Sequence, residues 1–118
     1  TIEGYRRVIE SDGVDVVQMD PGRIHGITGM LRAIRLVEAA NLQVSAHTWS
    51  SAINTAASLH LLACTTHSAG MDFKPHESPL QHDMIGNPWV HDEGYLTVRE
   101  EPGLGVEIKE DVVESYLF

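Results

Sequence analysis

The sequence predicts an α/β fold with parallel strands, and three observations carry that prediction. Two short apolar runs, Val16-Val17-Gln18-Met19-Asp20 and Val44-Ser45-Ala46-His47, each stop abruptly on a residue able to do acid–base chemistry. One helix-length amphipathic segment lies between them. The segments follow one another in the order αβαβαβ, which joins parallel strands through right-handed crossovers.

Taken in order, Ile2, Tyr5, Val8 and Ile9 share one helical face, and Gly13 is the stop. Val14 to Met19 is rich in valine and too short for a helix, so it reads as a strand, broken by Pro21-Gly22. Ile27, Met30, Leu31, Ile34 and Val37 continue a helical series that would cover a sheet, with Asn41 as its cap. Leu42 to Ala46 is the second strand and His47-Thr48-Trp49-Ser50 a loop. From Ser51 to Thr65 the pattern is helical again, with Ile53, Ala56, Ala57, Leu61 and Cys64 on one stripe. Gly70 closes that section, and Met71-Asp72-Phe73-Lys74 is a short third strand. After Pro75 the chain turns irregular. Residues 80–118 read as a return segment with a hairpin around Glu93-Gly94 and Tyr95 to Val98, and a last helix from Lys109 to Tyr116. Three parallel strands cannot close on themselves, since a barrel of this kind needs eight, so an edge is left open.

At 118 residues the chain has the length of one ordinary domain. Its 42% hydrophobic content is that of a packed globular protein. A net charge of −9 argues against nucleic acid or an anionic membrane as partner, because both demand clustered Lys and Arg. Cys64 is the one cysteine, which excludes a disulfide framework and a cysteine-based zinc site within the chain and suits a reducing cytoplasm. The opening Thr1-Ile2-Glu3 runs straight into a helical pattern without an initiator Met, as a piece of a longer protein would.

Asp20 and His47 are the leading candidates for chemistry. Both end strands on consecutive βα units, 27 positions apart, which would bring them to the rim where α/β enzymes keep reactive groups. A carboxylate beside an imidazole fixes its tautomer and raises its basicity. The competing reading of Asp20 is a turn aspartate capping its own backbone. His60, on an apolar stripe, reads as a core or supporting histidine bonded to backbone. Histidines 67, 76, 82 and 91 lack metal-ligand spacing. Gly22, Gly26 and Gly29 match neither phosphate-binding fingerprint, and tight turns or close backbone approach explain them. Arg23 beside this turn is the candidate contact for an anionic substrate, with a plain surface arginine as the alternative; Trp49 is the second candidate substrate contact.

Asp15-Val16-Val17-Gln18-Met19-Asp20 followed by Gly26-Ile27-Thr28-Gly29 resembles the sixth strand and loop of the mandelate racemase/muconate lactonizing branch of the enolase superfamily. Val44-Ser45-Ala46-His47 is similar to its seventh strand with the terminal histidine. Ala56-Ala57-Ser58-Leu59-His60-Leu61 and Pro102-Gly103-Leu104-Gly105 match recurring C-terminal patterns. The resemblance implies a partial (β/α)-barrel, with its last three strands in residues 1–79 and the return segment in 80–118. It also implies chemistry in which magnesium stabilises an enediolate made by removing a proton α to a carboxylate, with a Lys or His base. His47 falls on the base, Asp20 on its partner, and Asp72 (or Glu77) on the acid that meets the oxyanion; Asp72 is one methylene shorter than the family's glutamate.

The metal-ligand strands precede the region that this chain resembles, so magnesium belongs to the intact enzyme and none of its ligands to this chain. The expectation is part of a metal-dependent acid-sugar dehydratase, a cytoplasmic homo-oligomer when intact, acting on a small carboxylate or sugar acid, with negligible turnover from this chain alone. The alternatives are a 2-hydroxy-acid racemase or epimerase of the same superfamily, and a non-catalytic α/β module that docks its open edge on a partner. A His-rich metal-binding protein stands third.

Overall fold

Valine-rich runs and amphipathic helices alternate in the computed structural model, which describes residues 1–74 and 76–117. The strands β1 (Val16–Met19), β2 (Gln43–His47) and β3 (Ser68–Asp72) pair in parallel in the order β1-β2-β3. Helices α1 (Ile2–Glu10), α2 (Gly26–Ala39) and α3 (Ala52–Ala63) precede them in turn, and a short α4 (Glu110–Ser115) lies near the C-terminus. The fold is therefore α/β with an open parallel sheet.

One sheet face makes the core. Val17, Met19, Val44 and Ala46 pack with Met30, Ala33, Ile34 and Val37 of α2 and with Leu61 and Leu62 of α3. Each large aliphatic side chain buried this way contributes about 1.5–3 kcal/mol. Val16, Gln18 and Ser45 alternate onto the other face, where Val16 stays exposed.

Several boundaries differ from the pattern-based expectation, each for a local reason. At the end of α2, Asn41 takes a left-handed conformation (φ 55°). Its N–H bonds the Glu38 carbonyl at 2.9 Å, and the Leu42 N–H bonds that of Val37 at 3.1 Å. This closure draws Leu42 into the cap, so β2 starts at Gln43. The strand then continues through His47, which pairs with Asp72 and is no loop residue. β1 starts at Val16, where pairing with Gln43 begins, and not at Val14. β3 starts at Ser68: Val44 faces Ser68 while Ser45 faces Gly70. That bulge uses a φ of 102° at Gly70, so the glycine continues the strand instead of closing the section.

Three predicted stripes lose members. Val8, Ile27 and Ile53 are exposed at 41%, 48% and 41%, and Cys64, just past the last turn of α3, is exposed as well. The reason for α3 is a second core on its other side, where Ala52, Ala56 and Leu59 meet Met84, Ile85 and Trp89 from the return segment. Covered on two sides, α3 also buries Asn54, Thr55 and Ser58.

The return segment opens with a single π-type turn, Pro79–Asp83, and an isolated antiparallel bridge joins Ile85 to Ile108. The Arg99 guanidinium lies 3.7 Å from the Trp89 ring centroid and donates to the Asn87 and Gly105 carbonyls. The expected hairpin reduces to one bridge, Asp92 to Tyr95, around Glu93 (φ 47°) and Gly94 (φ 87°). The last helix covers Glu110–Ser115 and not Lys109 to Tyr116. Pro75, where the sequence changes character, lies outside the described residues. No described helix is long and apolar enough to cross a membrane.

Candidate active site

Asp20 directly follows β1 and His47 ends β2, and their strands are in register through Met19 and Ala46. Pro21 holds Asp20 extended (φ −134°, ψ 115°) and starts a one-turn 3-10 helix, Pro21–Arg23. Both readings of Asp20 are realised, because a carboxylate has two oxygens. Oδ1 accepts the Gly22 N–H at 2.8 Å and caps the turn; Oδ2 lies 2.9 Å from His47 Nδ1. Asp20 is buried, whereas the His47 side chain is 32% exposed. An ionised carboxylate only accepts, so Nδ1–H donates and Nε2 carries the lone pair of the neutral ring.

Two further groups sense this carboxylate. Arg23 Nε is 3.4 Å from Asp20 Oδ2 on a side chain 80% exposed, an ion pair at the mouth of the site. Tyr5 of α1 has its hydroxyl pushed above the ordinary range, first by burial and then by the negative charge of Asp20. Trp49 is exposed on the loop just past His47.

Asp72 is the strand neighbour of His47. Its Oδ1 accepts the Thr48 N–H at 3.0 Å, its backbone carbonyl accepts the Thr48 hydroxyl, and the Gln18 amide reaches Oδ2 at 3.5 Å. Glu77 is exposed in the following stretch, with no hydrogen bond to these groups among the described residues. The structure therefore groups Asp20, His47, Arg23 and Asp72 at the C-terminal ends of three adjacent strands.

Sequence reasoning missed Asn54 and Thr48. Asn54 is buried in the first turn of α3; its Oδ1 accepts the Gly22 N–H at 3.1 Å and its Nδ2 donates to the His47 carbonyl at 3.3 Å. The one available signal was Ser51, whose hydroxyl accepts the Asn54 N–H and marks the helix start near the site. The glycines act through geometry. A Cβ on Gly22 would lie 3.2 Å from Asp20 Oδ1 and 3.3 Å from Asn54 Oδ1, and one on Gly29 would meet the Ile24 carbonyl at 1.5 Å.

His60 is partly exposed, with no ring hydrogen bond among the described residues, so it is not the core histidine expected. His67 Nδ1 pairs with the Leu42 carbonyl and His82 Nδ1 with the Ser78 backbone, both structural contacts. Among the described residues no group of three or more His, Cys, Asp or Glu could hold a metal ion.

Comparison with known proteins gives the family and the fold. The model of the enolase C-terminal domain-like family matches residues 1–112. D-gluconate dehydratase of Thermoproteus tenax is 32% identical over 104 residues, 87% of this chain and 21% of that protein. D-xylonate dehydratase of Haloferax volcanii is 25% identical over 114 residues, 97% of this chain and 28% of that protein. A solved structure of a Bordetella bronchiseptica RB50 protein assigned as a mandelate racemase superposes with a TM-score of 0.92 at 29% identity, covering 98% of this chain and 31% of that one. The chain spans between 21% and 32% of the length of the first curated relatives it matches.

Proposed function

The chain belongs to the enolase C-terminal domain-like family, and we propose that it carries the histidine-bearing side of an active site that removes a proton α to a carboxylate, in a dehydratase of a sugar acid. The observation that carries this reading is the 2.9 Å contact between Asp20 Oδ2 and His47 Nδ1 at neighbouring strand ends. The substrate class is supported by the D-gluconate and D-xylonate dehydratases among its relatives.

In this mechanism His47 Nε2 takes the α-proton. The C–H electron pair moves into the substrate carboxylate to give an enediolate, and Asp20 stabilises the imidazolium formed. The enediolate collapses by expelling the β-hydroxyl, which takes a proton from the imidazolium and departs as water. The enol left behind tautomerises to the 2-keto acid. Arg23 meets a substrate carboxylate, exchanging its exposed pair with Asp20 for a bidentate one. Trp49 lends an apolar wall. Asp72, the strand neighbour of His47, is the acid that we assign to the oxyanion side of the substrate.

Magnesium, which the family resemblance implies, finds no site among the described residues of this chain, and no step above passes through it. A racemase or epimerase is the second reading, favoured by the likeness to the Bordetella protein. It keeps the same dyad to remove the proton, and an acid on the opposite face of the enediolate delivers one back to the carbon.

The test is an assay in D2O, with magnesium, of this chain and of any longer polypeptide its reading frame encodes, against a panel of aldonic and aldaric acids. We expect dehydration from a longer polypeptide, lost in H47N, and none from the chain alone. Undiminished dehydration by H47N overturns the reading. Deuterium at the α-position of an inverted product, without dehydration, shifts it to racemisation or epimerisation.

A further inference from the structure

We propose that Asn54 is a positioning residue for the Asp20–His47 pair, an inference that rests on reading that pair as the acid–base centre. Three elements meet at its amide. Oδ1 accepts the Gly22 N–H of the turn after β1, at 3.1 Å, and Nδ2 donates to the carbonyl of His47 at the end of β2, at 3.3 Å. The amide itself stands in the first turn of α3, whose start is fixed by Ser51. The backbone beside each dyad residue is therefore tied to a third element, and to that of the other through one side chain.

Burial makes this clamp specific. Asn54 is only 7% exposed, so water does not readily replace a partner that it loses. The Gly22 N–H is shared between Asn54 Oδ1 and Asp20 Oδ1, the oxygen geminal to the one that holds His47. Any Cβ at position 22 would sit against both acceptors. The turn thus needs a glycine and two converging oxygens, and only one of them belongs to the dyad. Ladder pairing between the two strands stops at Met19 and Ala46, so the Asp20–His47 spacing depends on contacts beyond it. Asn54 supplies two of those contacts, both to backbone and neither a hydrogen bond to the ring. Residues that cross-brace a catalytic group in this way fix its tautomer and aim, and they leave the chemistry to the group itself.

The experiment reads the His47 tautomer directly, by long-range 15N–1H correlation of the histidine rings in the folded chain at a pH where the ring is neutral, with H47N assigning the signals. The unaltered chain should show the proton on Nδ1. Asp20→Ala, which removes the acceptor, should move it to Nε2. Asn54→Ala should lower the Nδ1–H fraction at least about two-fold in chains that circular dichroism shows to be folded. Asn54→Asp keeps the shape and the acceptor but deletes the donor to His47, and it should do the same; it also stands in if Asn54→Ala does not fold. A merely structural role would lower the melting temperature in these variants and leave the tautomer unmoved. If Asp20→Ala moves the proton and both Asn54 variants leave it on Nδ1, the positioning role is wrong and the dyad stands. If Asp20→Ala also leaves it on Nδ1, the acid–base pair itself fails, and this inference with it.

Discussion

Asp20 holds His47 by one carboxylate oxygen, at 2.9 Å from Nδ1, and its own turn by the other, at 2.8 Å from the Gly22 nitrogen. Neither bond can be given up without disturbing the second, because both oxygens belong to one buried, planar group. In Asp20→Asn, the carbonyl oxygen keeps the Gly22 cap and turns the amide N–H toward the ring. Nδ1 must then accept, the proton moves to Nε2, and the base is lost while the turn survives. We expect turnover of the proposed reaction, in whichever polypeptide shows it, to fall by about 10²–10⁴-fold with little change in KM. Steady-state kinetics beside a melting curve check this; equal activity in the folded variant would remove Asp20 from the mechanism.

Tyr5 reports the same carboxylate from the other side. Its hydroxyl is held above the ordinary value chiefly by burial and further by the charge of Asp20. Neutralising Asp20 as Asn should lower the Tyr5 midpoint part of the way, because burial remains. The linked stability effect has a fixed sign. The folded state favours the protonated phenol, so its contribution is complete below about pH 10 and is lost as pH rises through the folded value. Tyrosinate absorbance titrations of the chain and its Asp20→Asn variant test both statements.

How much of this was legible in the sequence divides by the range of the interaction. Asp20 and His47 could be found because strand ends, Pro-Gly and a crossover of fixed length are local signals, and parallel pairing then leaves little choice of position. Asn41 was legible as a cap for the same reason. Asn54, Thr48 and Gln81 were not, because their polar atoms are matched by groups far along the chain: Gly22, Asp72 and Thr55. The stripe on α3 kept Ala56, Ala57 and Leu61 but missed the buried Asn54, Thr55 and Ser58 for a related reason. Periodicity reads one buried face, and this helix is covered a second time by residues 84–89 of a segment with no period of its own.

Gly29 gives a sharper case, since its role is steric and invisible to any motif. A Cβ there would fall 1.5 Å from the Ile24 carbonyl oxygen, a backbone atom that cannot rotate away. Gly29→Ala must push the start of α2 off the loop that carries Asp20 and Arg23, and should cost about 3 kcal/mol. Gly26→Ala is the informative control: its φ of 72° strains an alanine, but nothing lies within 4 Å of the new Cβ. It should cost about 1 kcal/mol. Urea unfolding of the two variants should preserve that order, and a Gly29→Ala chain as stable as the parent would show that the close approach is not real.

The interface between α3 and the π-type turn contains a polar pair with no route to solvent. Thr55 Oγ1 receives the Gln81 amide at 3.0 Å, and both residues are fully buried. Thr55→Val leaves that amide without a partner and should cost about 1–3 kcal/mol. Adding Gln81→Leu removes the orphaned group in turn, so the double variant should be more stable than Thr55→Val alone. One turn further on, Ser58 already has a buried hydroxyl with no partner among the described residues. Its desolvation is uncompensated in the folded chain, so Ser58→Ala should be neutral or stabilising by about 1 kcal/mol. The two hydroxyl-removing changes on one helix face therefore have different expected effects, and this separates hydrogen bonding from packing as the cause. If chemical denaturation found Ser58→Ala destabilising by as much as Thr55→Val, the serine would be bonded to a buried water and the polar seam would continue along α3.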